Sequence, residues 1–392
     1  MLARMLGLGL LVGLVALTVA RAVACPFCEA TAPTWLQSMR EADAAVIAKV
    51  TKVAPITSDD VVPSVRVHYM IEDVVQGRDR LPADHNFSFE SLESPEVGAR
   101  HLMTAVGAPD LSWSTLVEFT PTRAAYVAAA RELPEAGVPR WQFFCRYLEH
   151  ADEELAADAY GEFAAASFAE VKAFAKHTDR QQLWRWIESE KTPESRRGLY
   201  YTLLGACGDK ADGEKLRGML ASPDKRPPGA FSALVACYIS LGGEEALCEV
   251  EQRFLGAGAS ESDAQAVIAA LRFHGEEQHV LQRERMALSL RLLLERKGLA
   301  GTVIPDLARW QDWQCLPRMV KLFKESTGDD AWQRIPVVAY LKVCPQPEAK
   351  TALEELKKLD PQAVEQAEAL SLFGAQIRPT RTADSDNDSY ER

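Results

Sequence analysis

The 392-residue chain has few positive charges, short apolar runs and scattered histidines, and each shortage excludes a class of function. Its 44 Lys and Arg are outnumbered by 56 Asp and Glu, which gives a net charge of −12 at pH 7. A protein that binds nucleic acid needs a positive field to displace counterions from phosphates, so a general nucleic-acid binder is excluded. With 47% hydrophobic residues, the chain is expected to fold into about two or three globular domains.

The sequence also lacks the short motifs of common active sites. It has no zincin motif, no Gly-x-Ser-x-Gly nucleophile elbow and no glycine-rich phosphate loop. His274 and His279 are five residues apart, whereas two metal ligands on one helical face need i, i+4 spacing. Glu149 and His150 are adjacent, which fits a surface turn better than an acid/base pair. We therefore predict no catalytic residue, no cofactor and no metal site, and we expect the protein not to be an enzyme.

The N-terminus has the pattern of a secretory signal. Arg4 precedes the uncharged stretch Leu6–Ala20, and Ala22-Val23-Ala24 forms a small-x-small cleavage site. The 15-residue apolar run is shorter than the roughly 20 residues that span a bilayer, although an uncleaved anchor is the alternative. We predict that residues 1–24 are removed and that the mature protein is secreted or periplasmic, with a net charge of −14 after the loss of Arg4 and Arg21.

Cys25 would then be the first mature residue. A cysteine that follows small residues at this position can accept a lipid, so a membrane-anchored lipoprotein is an alternative to a freely soluble protein. We expect no transmembrane segment in the mature chain.

Cys25-Pro26-Phe27-Cys28 is the most specific motif of the chain. Its spacing is that of redox-active dithiols and resembles the glutaredoxin active site, but no strand precedes it, and Glu29 replaces the histidine that a c-type haem needs. We predict a structural disulfide that holds the start of the chain against the β domain, and a thiol–disulfide oxidoreductase is the less favoured alternative. We favour a bridge between Cys25 and Cys28, and a bridge from one of them to Cys145 is the alternative, because no cysteine lies between Glu29 and Phe144. The other cysteines lie in apolar helical surroundings that favour buried free thiols, namely Cys207, Cys237, Cys248, Cys315 and Cys344.

Residues 25–121 have a β-rich pattern. A short amphipathic helix over Thr34–Ala44 is followed by two strands, and in the second of these Val65, Val67, Tyr69 and Ile71 alternate with polar residues. Five short strands and one helix predict a small closed barrel. The predicted strands are Ala45–Val53, a second that contains Val65–Ile71 and ends at Gly77, Asn86–Glu90, His101–Val106 and Thr115–Phe119.

This β-rich segment resembles the netrin/tissue-inhibitor-of-metalloproteinases domain, which has an OB-fold. The resemblance lies in the mature N-terminal cysteine, the helix, the strand Ala44–Val50 and the long strand that ends Glu72-Asp73-Val74-Val75-Gln76-Gly77. It implies a barrel fold. It also implies, as an alternative function, an inhibitor or metal-engaging module that acts through Cys25. The family pairs its first cysteine with cysteines inside the barrel, and this chain has none there.

From Thr122 onward the apolar period changes from two to about 3.6, which predicts helices. Gly208, Gly242 and Gly275 each close a predicted helix and are separated by 34 and 33 residues, and weaker copies turn at Trp310–Trp313 and Cys344-Pro345. Helix pairs that recur at this period predict an α-solenoid over residues 122–375, before a disordered polar tail at 376–392. Trp184, Trp186, Trp310 and Trp313 fit packing between helical layers better than a ligand platform.

The segment Tyr147–Ala159, with a loop aspartate before an alanine-rich helix, resembles the opening of a HEAT repeat. Together with Cys-Pro-Phe-Cys, the β domain and Leu203-Leu204-Gly205-Ala206-Cys207-Gly208, it resembles a family of secreted, functionally uncharacterised bacterial HEAT-like proteins. The expected fold is therefore a multidomain α+β chain with an OB-like barrel followed by a HEAT-like solenoid. The expected function is a non-enzymatic, extracytoplasmic scaffold that binds protein partners.

Overall fold

A computed structural model of the chain describes residues 27–28, 32–56 and 64–372. The signal sequence, Cys25 and the polar tail lie outside these residues, so what the sequence indicates for them stays a prediction.

The N-terminal part is a short helix followed by a five-stranded antiparallel sheet. All five predicted strands are present, and the fifth begins three residues earlier than predicted. The strand order along the sheet is β3-β2-β1-β4-β5. The elements are α1 (Trp35–Glu41), β1 (Ala44–Ile56), β2 (Ser64–Gln76), β3 (Asn86–Ser91), β4 (Arg100–Val106) and β5 (Ser112–Glu118).

Local sequence explains where these elements begin and end. Thr34 and Gln37 form a capping box that begins α1, because each side chain bonds the other residue's backbone N–H. Gly77 ends β2 in a left-handed conformation, and a Cβ atom there would overlap the carbonyl of Asp43. The predicted alternation of β2 is confirmed, since Val67, Tyr69 and Ile71 are all buried in one cluster on one face of the sheet.

The sheet is strongly bent. The β1–β2 ladder contains three register shifts, and such irregularities increase local twist. The bend brings the edge strands together, so that the Phe87 ring of β3 stacks on the Trp113 ring of β5 with 3.9 Å between ring centroids. No backbone ladder joins β3 to β5 in the described residues, so the sheet is open and the predicted barrel is not closed by hydrogen bonds.

The rest of the described chain is helical, and no strand follows β5 in it. The second face of the sheet and all the helices share one apolar core, which extends from Trp35 to Ala367. The helices are α2 (Pro121–Arg131), α3 (Val138–Cys145), α4 (Glu153–Ala165), α5 (Phe168–Ala175), α6 (Arg180–Glu188), α7 (Glu194–Cys207), α8 (Lys210–Ala221), α9 (Phe231–Val250), α10 (Glu261–Phe273), α11 (Arg283–Arg291), α12 (Lys297–Arg309), α13 (Leu316–Glu325), α14 (Arg334–Val343), α15 (Pro347–Leu359) and α16 (Pro361–Leu372).

Helix α9 stands out by length and composition. Together with the turn that continues it, it covers Phe231–Leu255 and is the one helix in the described residues long and apolar enough to cross a membrane. Half of its most apolar stretch is buried, and it packs against α7, α8 and α10. The backbone of Gly243 is not helical, so α9 is kinked at this point. These features are those of a core helix.

The predicted helix ends are found, with one difference at Gly275. Gly208, Trp310 and Cys344 are the C-caps of α7, α12 and α14. Gly242 ends the first helical segment of α9, because the backbone of Gly243 is not helical and separates the two segments of this helix. Gly275 lies inside a π-helical turn that extends α10. A π-turn inserts one residue into the helical ladder and so widens it without ending the helix.

Glycines at these positions let neighbouring helices approach closely. A Cβ atom on Gly208 would press on Leu241, and one on Gly275 would overlap the ring of Trp310. Each of these glycines is separated in sequence from the residue it contacts by about one period of the predicted helical repeat. Helices α7, α9, α10, α12, α14 and α16 each pack on the next member of this series.

We predict that Gly275→Ala destabilises the protein by about 1–3 kcal/mol, because the added methyl group must displace the buried Trp310 ring. Gly218→Ala is the matched control. Gly218 is exposed within α8 with open space around it, so alanine there should stabilise the helix by about 0.5–1 kcal/mol. Urea unfolding of both variants measures the difference, and a Gly275→Ala variant as stable as the parent would contradict the close packing.

Candidate functional site

The structure separates the three predicted disulfide candidates. Cys28 is disulfide-bonded, whereas Cys145, at the end of α3, is a free thiol. The Cys28–Cys145 bridge that the sequence left open is therefore not formed, and Cys25 lies outside the described residues. The other five described cysteines are also free, and Cys237, Cys315 and Cys344 are buried.

The segment around Cys28 packs on helices. The Phe27 ring meets the Phe273 ring of α10 edge-on at 5.0 Å, and Phe273 in turn contacts Phe168 of α5 at 4.9 Å. The carbonyl of Phe27 lies directly over Gly198 of α7, where any Cβ atom would overlap it. The sequence led us to expect this segment against the β domain. The contacts of Phe27 are with helices instead, because Gly198 leaves room there for the backbone.

Two carboxylates on α4 form the most buried polar cluster near this junction. Asp158 and Glu162 are 6% and 4% exposed and lie one helical turn apart. Asp158 accepts hydrogen bonds from the Trp35 backbone N–H and from the Tyr126 hydroxyl, each at 2.7 Å. Glu162 accepts from the Thr34 hydroxyl at 2.6 Å and pairs with Arg140. The cluster therefore joins α1, α2 and α3 to α4.

Burial controls the ionisation of this cluster. Loss of hydration raises the pKa of Asp158 to about 6, although the hydrogen bonds from Trp35 and Tyr126 favour the carboxylate. Burial also raises the pKa of Tyr126. The groups make all these contacts inside the core, so the cluster fits a structural role. Two acids spaced i, i+4 among Leu, Ala and Phe are a sequence signal of buried carboxylates.

The other candidate catalytic or metal-binding residues are also held by hydrogen bonds or buried in the core. Glu149 lies in the turn between α3 and α4 and accepts a hydrogen bond from the Tyr200 hydroxyl, while the Nδ1 atom of His150 accepts from the Asp152 N–H at 3.0 Å. His274 is fully buried, and desolvation lowers its pKa to about 4. Within the described residues, no group of three His, Cys, Asp or Glu side chains could hold a metal ion.

The tryptophans pack between helices. Trp184 donates through Nε1 to Asp212 at 2.7 Å, and Trp186 contacts the Tyr200 ring at 5.0 Å between centroids. Trp310 lies on Gly275, and Trp313 meets Tyr340 edge-on at 5.2 Å.

Ion pairs repeat across the helical region at a spacing close to the glycine period. Arg272 of α10 contacts Asp306 of α12 at 2.8 Å, 34 residues away. Arg285 of α11 contacts Glu251, also 34 residues away, at 2.6 Å. These two pairs join α10 to α12, and α11 to the turn that follows α9.

Comparison of the chain with known protein families, with curated proteins and with solved structures found no match. Function is therefore inferred from the geometry of the chain itself.

We predict that Gly198→Ala displaces the Phe27 segment and lowers the melting temperature, because the added methyl group overlaps the Phe27 carbonyl. Gly205→Ala, on the same helix but with ordinary contacts, should have a much smaller effect. Phe27→Ala should destabilise the parent protein and add almost nothing in the Gly198→Ala background. Full additivity of the two substitutions would show that Phe27 does not dock over Gly198.

We also predict a pH-dependent contribution from Asp158. An acid whose pKa is raised by folding stabilises the fold most when protonated, below its unfolded-state value of 3.8, and this contribution is lost as pH rises through about 6. The stability advantage of the parent over Asp158→Asn should therefore fall by about 1–3 kcal/mol between pH 4 and pH 7.

Asp152→Asn is the control for this experiment. A hydrogen bond from Arg123 lowers the pKa of Asp152, so its contribution should be constant from pH 5 to pH 7 and decrease only in more acidic solution. Denaturant unfolding at a series of pH values measures both variants. Equal pH profiles for the parent and Asp158→Asn would contradict the raised pKa.

Proposed function

We propose that this protein is a non-enzymatic interaction protein of the extracytoplasmic space, which binds a protein partner along its helical region. The proposal rests on one observation, the chain of helices α7, α9, α10, α12, α14 and α16 in which each packs on the next. Elements that contact mainly their neighbours build an extended surface, as in HEAT-like solenoids.

The repeat spacing of the contacts supports a HEAT-like solenoid. Gly275 with Trp310, and Arg272 with Asp306, join residues about one repeat apart. Helices α8, α11, α13 and α15 follow α7, α10, α12 and α14 in sequence as the second member of each pair.

The sheet supports the proposed OB-like module. A five-stranded order β3-β2-β1-β4-β5 is that of a small barrel opened between its third and fifth strands, and OB-folds are partly open barrels. The Phe87–Trp113 stack lies at that opening.

We place the partner contact on α11. Leu288 of α11 and Leu292, the C-cap of this helix, lie one turn apart, and each is 48% exposed. Glu284, one turn before Leu288, is exposed and has no ion pair within the described residues. An exposed apolar strip beside an unpaired acid suits a partner that offers apolar side chains with a basic group next to them. The net charge of −12 favours the same kind of partner.

The inhibitor alternative would use a free N-terminus at Cys25. Phe27 is two residues away and packs on Phe273 and Gly198, which counts against a segment that projects into a protease.

The test is photo-crosslinking in the native host, with benzoylphenylalanine in place of Leu288 and, as a control, in place of Leu92. Leu92 is 74% exposed and lies just after β3. We expect a discrete protein adduct from position 288 only. Leu288→Lys with Leu292→Lys should abolish co-purification of that protein without changing the melting temperature, whereas Leu92→Lys should retain it. Equal adducts from both positions, or a partner that survives the double substitution, would refute the proposal.

A further inference from the structure

A cleft of about 740 Å³ lies between α3 and the α5–α6 segment. This volume is in the range of pockets that hold small organic ligands. The cleft does not overlap the α11 strip.

One wall of the cleft is apolar. It includes Leu133, Cys145, the buried Phe174 and the half-buried Trp186. Burial raises the pKa of the Cys145 thiol to about 11, so this side chain is neutral and acts as part of the apolar wall. The indole ring of Trp186 is supported by the Tyr200 ring behind it, at 5.0 Å between centroids. Such a wall suits a flat or branched apolar group.

Arg146 and Thr178 line the same cleft, and neither side chain has a hydrogen-bond or ion-pair partner in the described residues. Arg146 is exposed and makes no ion pair with any described carboxylate, and its guanidinium lies 5.6 Å from the Phe143 ring. The Thr178 hydroxyl is buried and has no hydrogen-bond partner in the described residues. A buried hydroxyl without a partner is costly, so a ligand that bonds to it gains stability.

The one carboxylate that lines the cleft is already engaged. Asp179 caps α6 by accepting from the Gln181 N–H at 2.9 Å and lies 3.5 Å from Arg185. The cation of Arg146 is therefore the unpaired charge beside the apolar wall.

We propose that this cleft binds a small organic acid with an aromatic or branched apolar body. The body packs on Phe174, Cys145 and Trp186, and the carboxylate faces Arg146 and accepts a hydrogen bond from Thr178. A charge-assisted bond to Arg146 gives the cleft its preference for an acid over a neutral ligand of the same shape.

The test uses the full mature protein with 2-naphthoate as the probe and 2-naphthamide as its neutral counterpart. In isothermal titration calorimetry we expect the acid to bind at least tenfold more tightly than the amide. Arg146→Gln should weaken naphthoate binding at least tenfold, and Thr178→Val should weaken it several-fold. Arg40→Gln, which removes an exposed arginine of α1, is the matched control and should leave binding unchanged.

A second measurement places the ligand in the cleft. Saturating naphthoate should slow alkylation of Cys145 by N-ethylmaleimide, followed by mass spectrometry, and should leave alkylation of the free Cys248 unchanged. No heat of binding up to millimolar naphthoate, equal affinity for acid and amide, or equal affinity of Arg146→Gln and the parent would each overturn the proposal. Unchanged alkylation of Cys145 at saturation would place any observed binding elsewhere and would also overturn it.

Discussion

The position of the sheet relative to the helices depends on the desolvation of two carboxylates. Asp158 and Glu162 of α4 are buried, and a buried carboxylate is tolerated only where donors replace its lost water. One donor for each comes from the start of α1, namely the Trp35 backbone N–H and the Thr34 hydroxyl, and the others are Tyr126 of α2 and Arg140 of α3. Because β1 begins at Ala44, just after α1 ends, an α1 held against α4 also places the sheet. Apolar burial supplies most of the stability of the shared core, and these directional bonds select one arrangement.

The hydrophobic periodicity of the sequence and the residues that end its helices and strands were enough to predict much of the fold. The alternation in β2 and the stop at Gly77 gave the strand and its buried face correctly, because both depend on the local backbone. The helix ends at Gly208 and Trp310 were equally local. The break in α9 after Gly242 was local as well, whereas the π-turn around Gly275 was not predictable in this way. The π-turn lies against the Trp310 ring, which is distant in sequence, so no local pattern indicates it.

The candidate sites were harder to predict than the fold. The docking of Phe27 needs Gly198 and Phe273, which are far apart in the sequence and show no joint pattern. The cleft beside α3 is similar, since Arg146 and Thr178 become neighbours only after three helices have packed. By contrast, the roles of Trp184 and Trp310 in packing followed from their surroundings, since large aromatic residues among apolar helical neighbours are usually buried.

The contact between Phe27 and Phe273 has a consequence for the order of folding. A ribosome makes the chain from its first residue, so Phe27 emerges long before the helix that receives its ring. The start of the chain must therefore stay undocked, with an exposed aromatic ring, until α10 has been synthesised and has packed. A contact of such wide sequence separation forms late and slowly. During this interval the nascent chain exposes an apolar surface, and such a surface favours aggregation.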